Sequence, residues 1–206
     1  MRTPLDAVRY IQNRSSGWMG LEVARAASIL GARVHVLLGP VEAEVARAFA
    51  DFEVTRYETP DDYGAALRAL FPQCTVFMSL AAVLDFEAIA FAGKIAREEL
   101  GDTLPLRLRT VPDFAAWAGA HKARHQKVIA FCAEALPLPE LLERARQKCA
   151  KKNADAIVAN PVTAGLGPEA LRNELWVLQG DQVTHLGPAA KADLGRPLLL
   201  TLFGTP

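Results

Sequence analysis

The sequence predicts an α/β fold: a Rossmann-like, doubly wound, mostly parallel sheet that ends in a C-terminal β-hairpin. Three observations predict it. Short apolar, strand-like runs alternate with helical patterns over most of the chain. Gly and Pro residues mark the joints between them. Near the C-terminus two alternating runs flank Gly180-Asp181, the signature of an antiparallel turn.

Each element has its own signal. Val8-Arg9-Tyr10-Ile11 is a strand-like run that ends in the polar turn Asn13-Arg14-Ser15-Ser16-Gly17. Gly17 to Leu30 carries a helical pattern, and Gly31 supplies its stop. Arg33 to Leu38 is a strand closed by Gly39-Pro40, Val41 to Ala50 a short helix, and Phe52 to Tyr57 the next strand. Thr59 or Pro60 opens a helix to Leu70, with Asp61 and Asp62 where carboxylates meet the positive end of the helix dipole. Cys74 to Leu80 is a strongly apolar strand, and Leu104 to Thr110 alternates like another. Pro112 starts a helix through Gly119, since proline is tolerated in a first turn. Lys127 to Ala133 is a buried strand, Pro139 to Lys152 an amphipathic helix, and Ala154 to Ala159 a strand that ends at Asn160-Pro161. Glu174 to Gln179 and Gln182 to Leu186 form the hairpin.

A chain of 206 residues, 51% hydrophobic, fits a single Rossmann-like domain over 1–206. Its 23 basic and 23 acidic side chains cancel, so nothing electrostatic favours nucleic acid or an anionic membrane as a partner. No apolar run approaches the ~20 residues that span a bilayer, and no signal peptide opens the sequence. Cys74, Cys132 and Cys149 form no CxxC pair and read as reduced, structural thiols of a cytoplasmic protein. In that compartment the sequon Asn13-Arg14-Ser15 meets no glycosylation machinery. His35, His121, His125 and His185 lack metal-ligand spacing. No strand–GxGxxG–helix is present, which makes a Rossmann oxidoreductase the weakest functional reading.

The turn at 13–17 is the most informative segment. It sets hydroxyls, an amide and backbone N–H groups at a helix N-terminus, where the dipole favours an anion. That suggests a phosphorylated ligand. In open α/β sheets ligands bind beyond the carboxyl ends of strands, and the residues there are Asn13, Ala81 to Asp85, Phe131 and Asn160.

Six segments, V-R-Y-I-Q-N-R-S-S-G-W-M-G (8–20), S-L-A-A-V-L-D-F (79–86), G-K-I (93–95), V-P-D-F (111–114), A-F-C-A-E (130–134) and A-R-Q-K-C-A-K-K-N-A-D-A-I-V-A-N (145–160), jointly resemble phosphopantothenoylcysteine synthetases, also called phosphopantothenate–cysteine ligases. The resemblance implies a homodimer that ligates 4′-phosphopantothenate to cysteine in coenzyme A biosynthesis. It implies CTP, or ATP in eukaryotic members, with Mg²⁺, an acyl-cytidylate intermediate and pyrophosphate release. It further implies that Asn13 handles the acyl intermediate and that Lys94 sits on a loop closing over the site. Asp85, Pro112, Asp113, Phe114, Ala115, Phe131, Lys148 and Lys152 match nucleotide-contacting positions. A separate chain could carry the decarboxylase often fused to such domains.

The chemistry of these side chains is compatible with that role and with plainer ones. Bringing a carboxylate to a triphosphate opposes two anions, so cations and N–H donors must offset the repulsion. Lys148 and Lys152 share a helix face, which suits one nucleotide or simply a solvated helix end. Asp85 either accepts from a ribose hydroxyl or base amino group, or holds a metal-bound water, or is a turn residue. Phe131 is core or lies beside the base. Asn13 is a turn residue or a neutral oxyanion donor. Ser15, Ser16 and Gly17, with Ala81 and Ala82, are phosphate or substrate positions, though Ser16 alternatively caps the helix.

The pattern also departs from the family. An apolar strand and a glycine-rich turn usually precede the V-R-Y segment, and here Met1 is followed directly by Arg-Thr-Pro-Leu-Asp. Absence of that central strand predicts two exposed sheet edges. Trp18, Leu84, Ala135 and Pro161 replace a lysine, a small residue, a threonine and an aspartate, so the site is less polar. These departures keep a rival reading open: a catalytically weak or inactive nucleotide- or phosphopantothenate-binding paralogue.

Overall fold

The computed structural model describes residues 1–96 and 102–205. In chain order the elements are β1 (Arg2–Pro4), β2 (Tyr10–Gln12), α1 (Trp18–Ile29), β3 (His35–Leu38), α2 (Ala43–Ala48), β4 (Glu53–Arg56), α3 (Pro60–Leu70) and β5 (Val76–Ser79). There follow β6 (Phe86–Ala88), β7 (Leu108–Thr110), α4 (Phe114–His121), β8 (Lys127–Glu134), α5 (Leu138–Lys151), β9 (Ala156–Pro161), β10 (Arg172–Gln179), β11 (Gln182–Ala190) and α6 (Lys191–Phe203).

The main sheet has the order β11-β10-β9-β8-β5. Strands β5, β8 and β9 pair in parallel. Strand β10 runs antiparallel to β9 and forms the expected hairpin with β11. Along β9 the side chains alternate between two cores, as a pleated strand requires. Ala156 and Val158 pack with α1 and α6 through Val23, Ala26, Leu194 and Leu198. Ile157 and Ala159 pack with Leu141 and Ala145 of α5. Helices therefore cover both faces, and the doubly wound expectation is borne out.

One break interrupts the architecture. Strands β3 and β4 form a separate parallel pair. Among the described residues, β3 pairs only with β4, and β5 only with β8. Both free edges border one cavity of about 1220 Å³, whose walls include residues 32–38 and 73–80. While Ile157, Val158 and Ala159 of β9 are fully buried, Val76 of β5 is 38% exposed. The two open edges expected for a sheet without its central strand are present.

Local signals explain several boundaries. Thr59 and Asp62 form a reciprocal capping box, so α3 starts at Pro60. Asp113 caps α4 by accepting from the Ala116 N–H at 3.0 Å, which places Pro112 outside the helix rather than at its start. The Val8–Ile11 strand shifts to Tyr10–Gln12 and stays outside the main sheet: β2 closes a small two-stranded hairpin with β1, leaving Val8 exposed. The Leu104–Thr110 strand contracts to β7, which pairs with β6.

Asp155 ties the parallel strands together. Its carboxylate accepts from Lys122 Nζ (2.8 Å), Lys127 Nζ (3.1 Å) and the Val128 N–H (2.8 Å). Burial pushes its pKa up, but the Lys122, Val128 and Lys127 contacts outweigh that and hold it below the ordinary value. A depressed carboxyl stabilises the fold above its unfolded pKa of ~3.9, and that stability is lost as pH falls through the folded value. Asp155→Asn should lower stability by about 1–3 kcal/mol at neutral pH and flatten the acid limb of a Tm-versus-pH curve. An unchanged acid limb would remove this role.

Candidate active site

The cavity continues from the free strand edges to the carboxyl ends of the parallel strands. At one end lies the turn after β2. Asn13 Nδ2 donates to the Val83 carbonyl at 3.0 Å and reaches the Ala82 carbonyl at 3.5 Å, which anchors the turn on the loop after β5. Gly17 is the residue before α1, with φ of 80° and no side-chain cap. A Cβ at Gly17 would lie 2.9 Å from Val41 Cγ1, so glycine is required twice over. Ser16 does not cap the helix. Its N–H and Oγ both donate to the Pro168 carbonyl, at 3.2 and 2.8 Å. The first-turn N–H groups of α1 are thus free of any side-chain cap.

At the other end stand α4 and the C-terminal turn of α5. Lys148 Nζ meets Glu134 Oε1 at 2.5 Å. Lys152 Nζ reaches both Asp113 oxygens, at 2.7 and 2.6 Å. Burial pushes the Asp113 carboxyl up, but Lys152 and the Ala116 N–H hold it below its usual value. Both lysines therefore face the cavity as ion pairs, and an incoming anion competes with a carboxylate for each. Phe131, inside β8 rather than at its carboxyl end, is half-buried against the α1–α6 core and lines the same cavity.

One cavity gathers Asn13, Ser15, Gly17, Ala81, Ala82, Asp85, Pro112, Asp113, Phe114, Ala115, Phe131, Lys148 and Lys152. Ser16 sits just behind its wall, bonded to Pro168. Lys94 is exposed and lies outside the lining. Its segment is held against the β1–β2 hairpin by Phe91 N–Leu5 O (2.8 Å), Ala7 N–Gly93 O (2.9 Å) and Ile95 N–Asp6 Oδ2 (3.1 Å). Asn13 and Lys94 are not brought together. Asp85 is exposed, with its backbone carbonyl bonded to the Val111 N–H.

The altered motif residues become apolar packing. Trp18 packs against the core of Leu21, Ala24, Leu38, Val45 and Phe49, and Leu84 is 5% exposed in a core with Tyr57, Tyr63 and Phe114. The three cysteines are free, and burial pushes the Cys132 thiol up to about 11, so it is no nucleophile. Two residues without a sequence signal also matter. Lys191 opens α6 at 3% exposure, and Asn173 of β10 is equally buried; both line the cavity. A lone lysine before an apolar run looks like a surface residue until the fold folds it inward.

Residues 1–204 match the model of the DNA/pantothenate metabolism flavoprotein C-terminal domain. The chain belongs to that family. The resemblance drawn from the six ordered segments is borne out. The family member "Coenzyme A biosynthesis bifunctional protein CoaBC" of Escherichia coli K12 is 36% identical over 203 residues, which are 96% of this chain and 48% of that protein. The chain thus spans about half the length of that relative. The crystal structure of the C-terminal domain of a CoaBC protein has a TM-score of 0.74 and 26% identity, covering 98% of this chain and 89% of the other. A Cab2 mutant in complex with phosphopantothenate-cysteine has a TM-score of 0.72 over 98% of this chain and 82% of its own; at 17% identity it speaks for the fold alone. The α/β architecture with a parallel-rich sheet and antiparallel C-terminal strands is that of the family.

Proposed function

We propose that this chain ligates 4′-phosphopantothenate to cysteine in coenzyme A biosynthesis. The pantothenate carboxylate attacks the α-phosphorus of CTP or ATP, pyrophosphate leaves, and the cysteine amine displaces the nucleotide from the acyl carbon. The observation that supports this reading is the single cleft: an amide-and-hydroxyl turn at one end, two lysines and Phe131 at the other, in a chain of this family. Asn13, held by Val83, offers its second N–H to a developing oxyanion once the long 3.5 Å contact with the Ala82 carbonyl is given up, without adding a titrating group. Lys148 and Lys152 meet the nucleotide after exchanging carboxylate for phosphate, and Asp113 to Ala115 border it.

Mg²⁺ belongs to the nucleotide in this reading. Among the described residues no cluster of three or more His, Cys, Asp or Glu side chains could hold a metal. Magnesium commonly takes one or two carboxylates plus substrate phosphates, and Asp85, exposed on this cleft after β5, is a carboxylate that could serve. Lys94 is the lid residue, closing from its exposed loop after substrate binds. A homodimer, a separate decarboxylase partner and a cytoplasmic setting complete the proposal.

The full chain should release pyrophosphate from CTP when given phosphopantothenate, and form the amide when cysteine is added. Lys94→Ala should slow that release by about a hundredfold. A wild-type rate for the variant would end the lid assignment. No release above background with CTP or ATP would end the ligase reading. The rival reading, a catalytically weak or inactive nucleotide- or phosphopantothenate-binding paralogue, is favoured by the two ion-paired lysines and the open strand edges. It predicts that calorimetry detects nucleotide binding in a protein without turnover.

A further inference from the structure

Glu134 holds Lys148 from outside the cleft. It is the last residue of β8, and its backbone is fixed: it lies opposite Pro161 of β9 in the parallel ladder, and its carbonyl accepts from the Val162 N–H at 2.9 Å. Its carboxylate accepts from Lys148 Nζ at 2.5 Å. Among the described residues that ammonium is the one donor to the Glu134 side chain. Lys148 lines the cavity, and Glu134 does not.

The neighbouring pair is built differently. Asp113 lines the cavity itself, and besides Lys152 it accepts from the Ala116 N–H as the cap of α4. When Lys152 turns to a ligand, Asp113 keeps a donor and the positive end of a helix dipole. Glu134 keeps neither. Its side chain is 22% exposed, so water replaces the lost ammonium only in part. A phosphate that draws Lys148 away therefore leaves a desolvated carboxylate without its donor, close to a second anion. Both effects act against the bound state.

We propose that Glu134 is an internal competitor for Lys148. It limits how tightly the cleft holds a nucleotide, and it speeds loss of the nucleoside monophosphate that remains after the amide forms. A triphosphate spreads its charge along the cleft, whereas a monophosphate has one phosphoryl group with which to compete. Glu134 acts through Lys148 and touches no substrate, so it is a positioning residue. The inference rests on the nucleotide role proposed for Lys148.

The test uses the full chain, with Glu134→Gln and Glu134→Ala alone and each combined with Lys148→Met. Calorimetry with CTP and CMP gives affinities, and stopped-flow gives the CMP dissociation rate. Both single variants should bind CTP and CMP about threefold to tenfold more tightly than wild type, with CMP leaving more slowly by a similar factor. In the Lys148→Met background the gain should vanish. Weaker binding by Glu134→Ala with rescue by Glu134→Gln would mean that the carboxylate places Lys148 for the ligand, and would overturn the inference. Unchanged affinities would overturn it, as would a gain that persists without Lys148. If the gain appears but no amide is made, the ligase reading falls and the inference stands. If neither wild type nor variant binds either nucleotide, the nucleotide role of Lys148 falls and takes the inference with it.

Discussion

A chain carrying an eight-residue apolar strand fused ahead of Met1 should melt more than ~10 °C higher than the 206-residue chain. The free edges of β3 and β5 border one cavity. One strand residue fills roughly 3.3 Å of rise, 4.8 Å of strand spacing and 10 Å of sheet depth, or about 160 Å³. The cavity of about 1220 Å³ includes the cleft and has room for about eight such residues. Met1 is 6% exposed and packs with Tyr57 and Leu84, near the carboxyl ends of β4 and β5. A strand that ends at Met1 therefore runs parallel to both neighbours without a connecting loop. Each new ladder bond contributes about 1 kcal/mol and each buried large side chain about 1.5–3 kcal/mol. Ordering the strand opposes this at about 1.5–2 kcal/mol per residue, and filling both edges at once tips the balance toward the completed sheet. At ~2–4 °C per kcal/mol for a chain of this size, the shift is large. Hydrogen exchange should also slow at β3 and β5. A control strand with proline at alternate positions cannot complete the ladder and should give no gain. Equal melting temperatures for the apolar and proline fusions would show that the edges take no strand.

How much of this was legible in the sequence depended on where each signal lies. Helix α3 is local: Thr59, Pro60 and Asp62 write their own cap, and the boundary follows. Strand β8 and helix α5 are legible because an apolar run and an amphipathic pattern each survive any tertiary context. Helix α6 has no such local signal. Ala190 caps nothing with its side chain, and Gly195 and Pro197 interrupt the pattern, so packing of Leu194, Leu198 and Leu202 on α1 decides it. The site divides the same way. The 13–17 turn, the 112–115 segment and the two lysines of α5 are contiguous motifs, and the cavity collects them. Their electrostatic state is not contiguous. Glu134 comes to Lys148 from β8, Asp113 to Lys152 from the α4 cap, and Lys191 to Ser16 across the whole chain. Periodicity cannot show which charges a fold will neutralise.

The second large effect is expected at Gly119. This residue lies inside α4, where alanine is favoured over glycine by ~1 kcal/mol, so propensity alone predicts that Gly119→Ala stabilises. Geometry predicts the opposite. A Cβ there would sit 1.9 Å from the Lys152 carbonyl oxygen and 2.9 Å from that of Asn153, where carbon–oxygen contacts ordinarily lie at ~3.3–3.6 Å. Both atoms are backbone, so no flexible side chain can swing away. The Asn153 side chain further clamps the junction by donating to the Gly119 carbonyl at 2.8 Å. Relief requires the end of α5 to retreat by more than ~1 Å, and overpacking of this kind costs about 3 kcal/mol or more. A fall in Tm of about 10 °C is expected. The same retreat carries Lys152 away from Asp113 at the other end of α4, so CTP affinity should fall about tenfold as well. Gly20→Ala provides the opposite sign. Gly20 lies in α1 with nothing within 4 Å of an added Cβ, and its replacement should raise stability by up to ~1 kcal/mol. If Gly119→Ala instead melts like Gly20→Ala and binds CTP as wild type does, the α4–α5 contact does not set the position of Lys152.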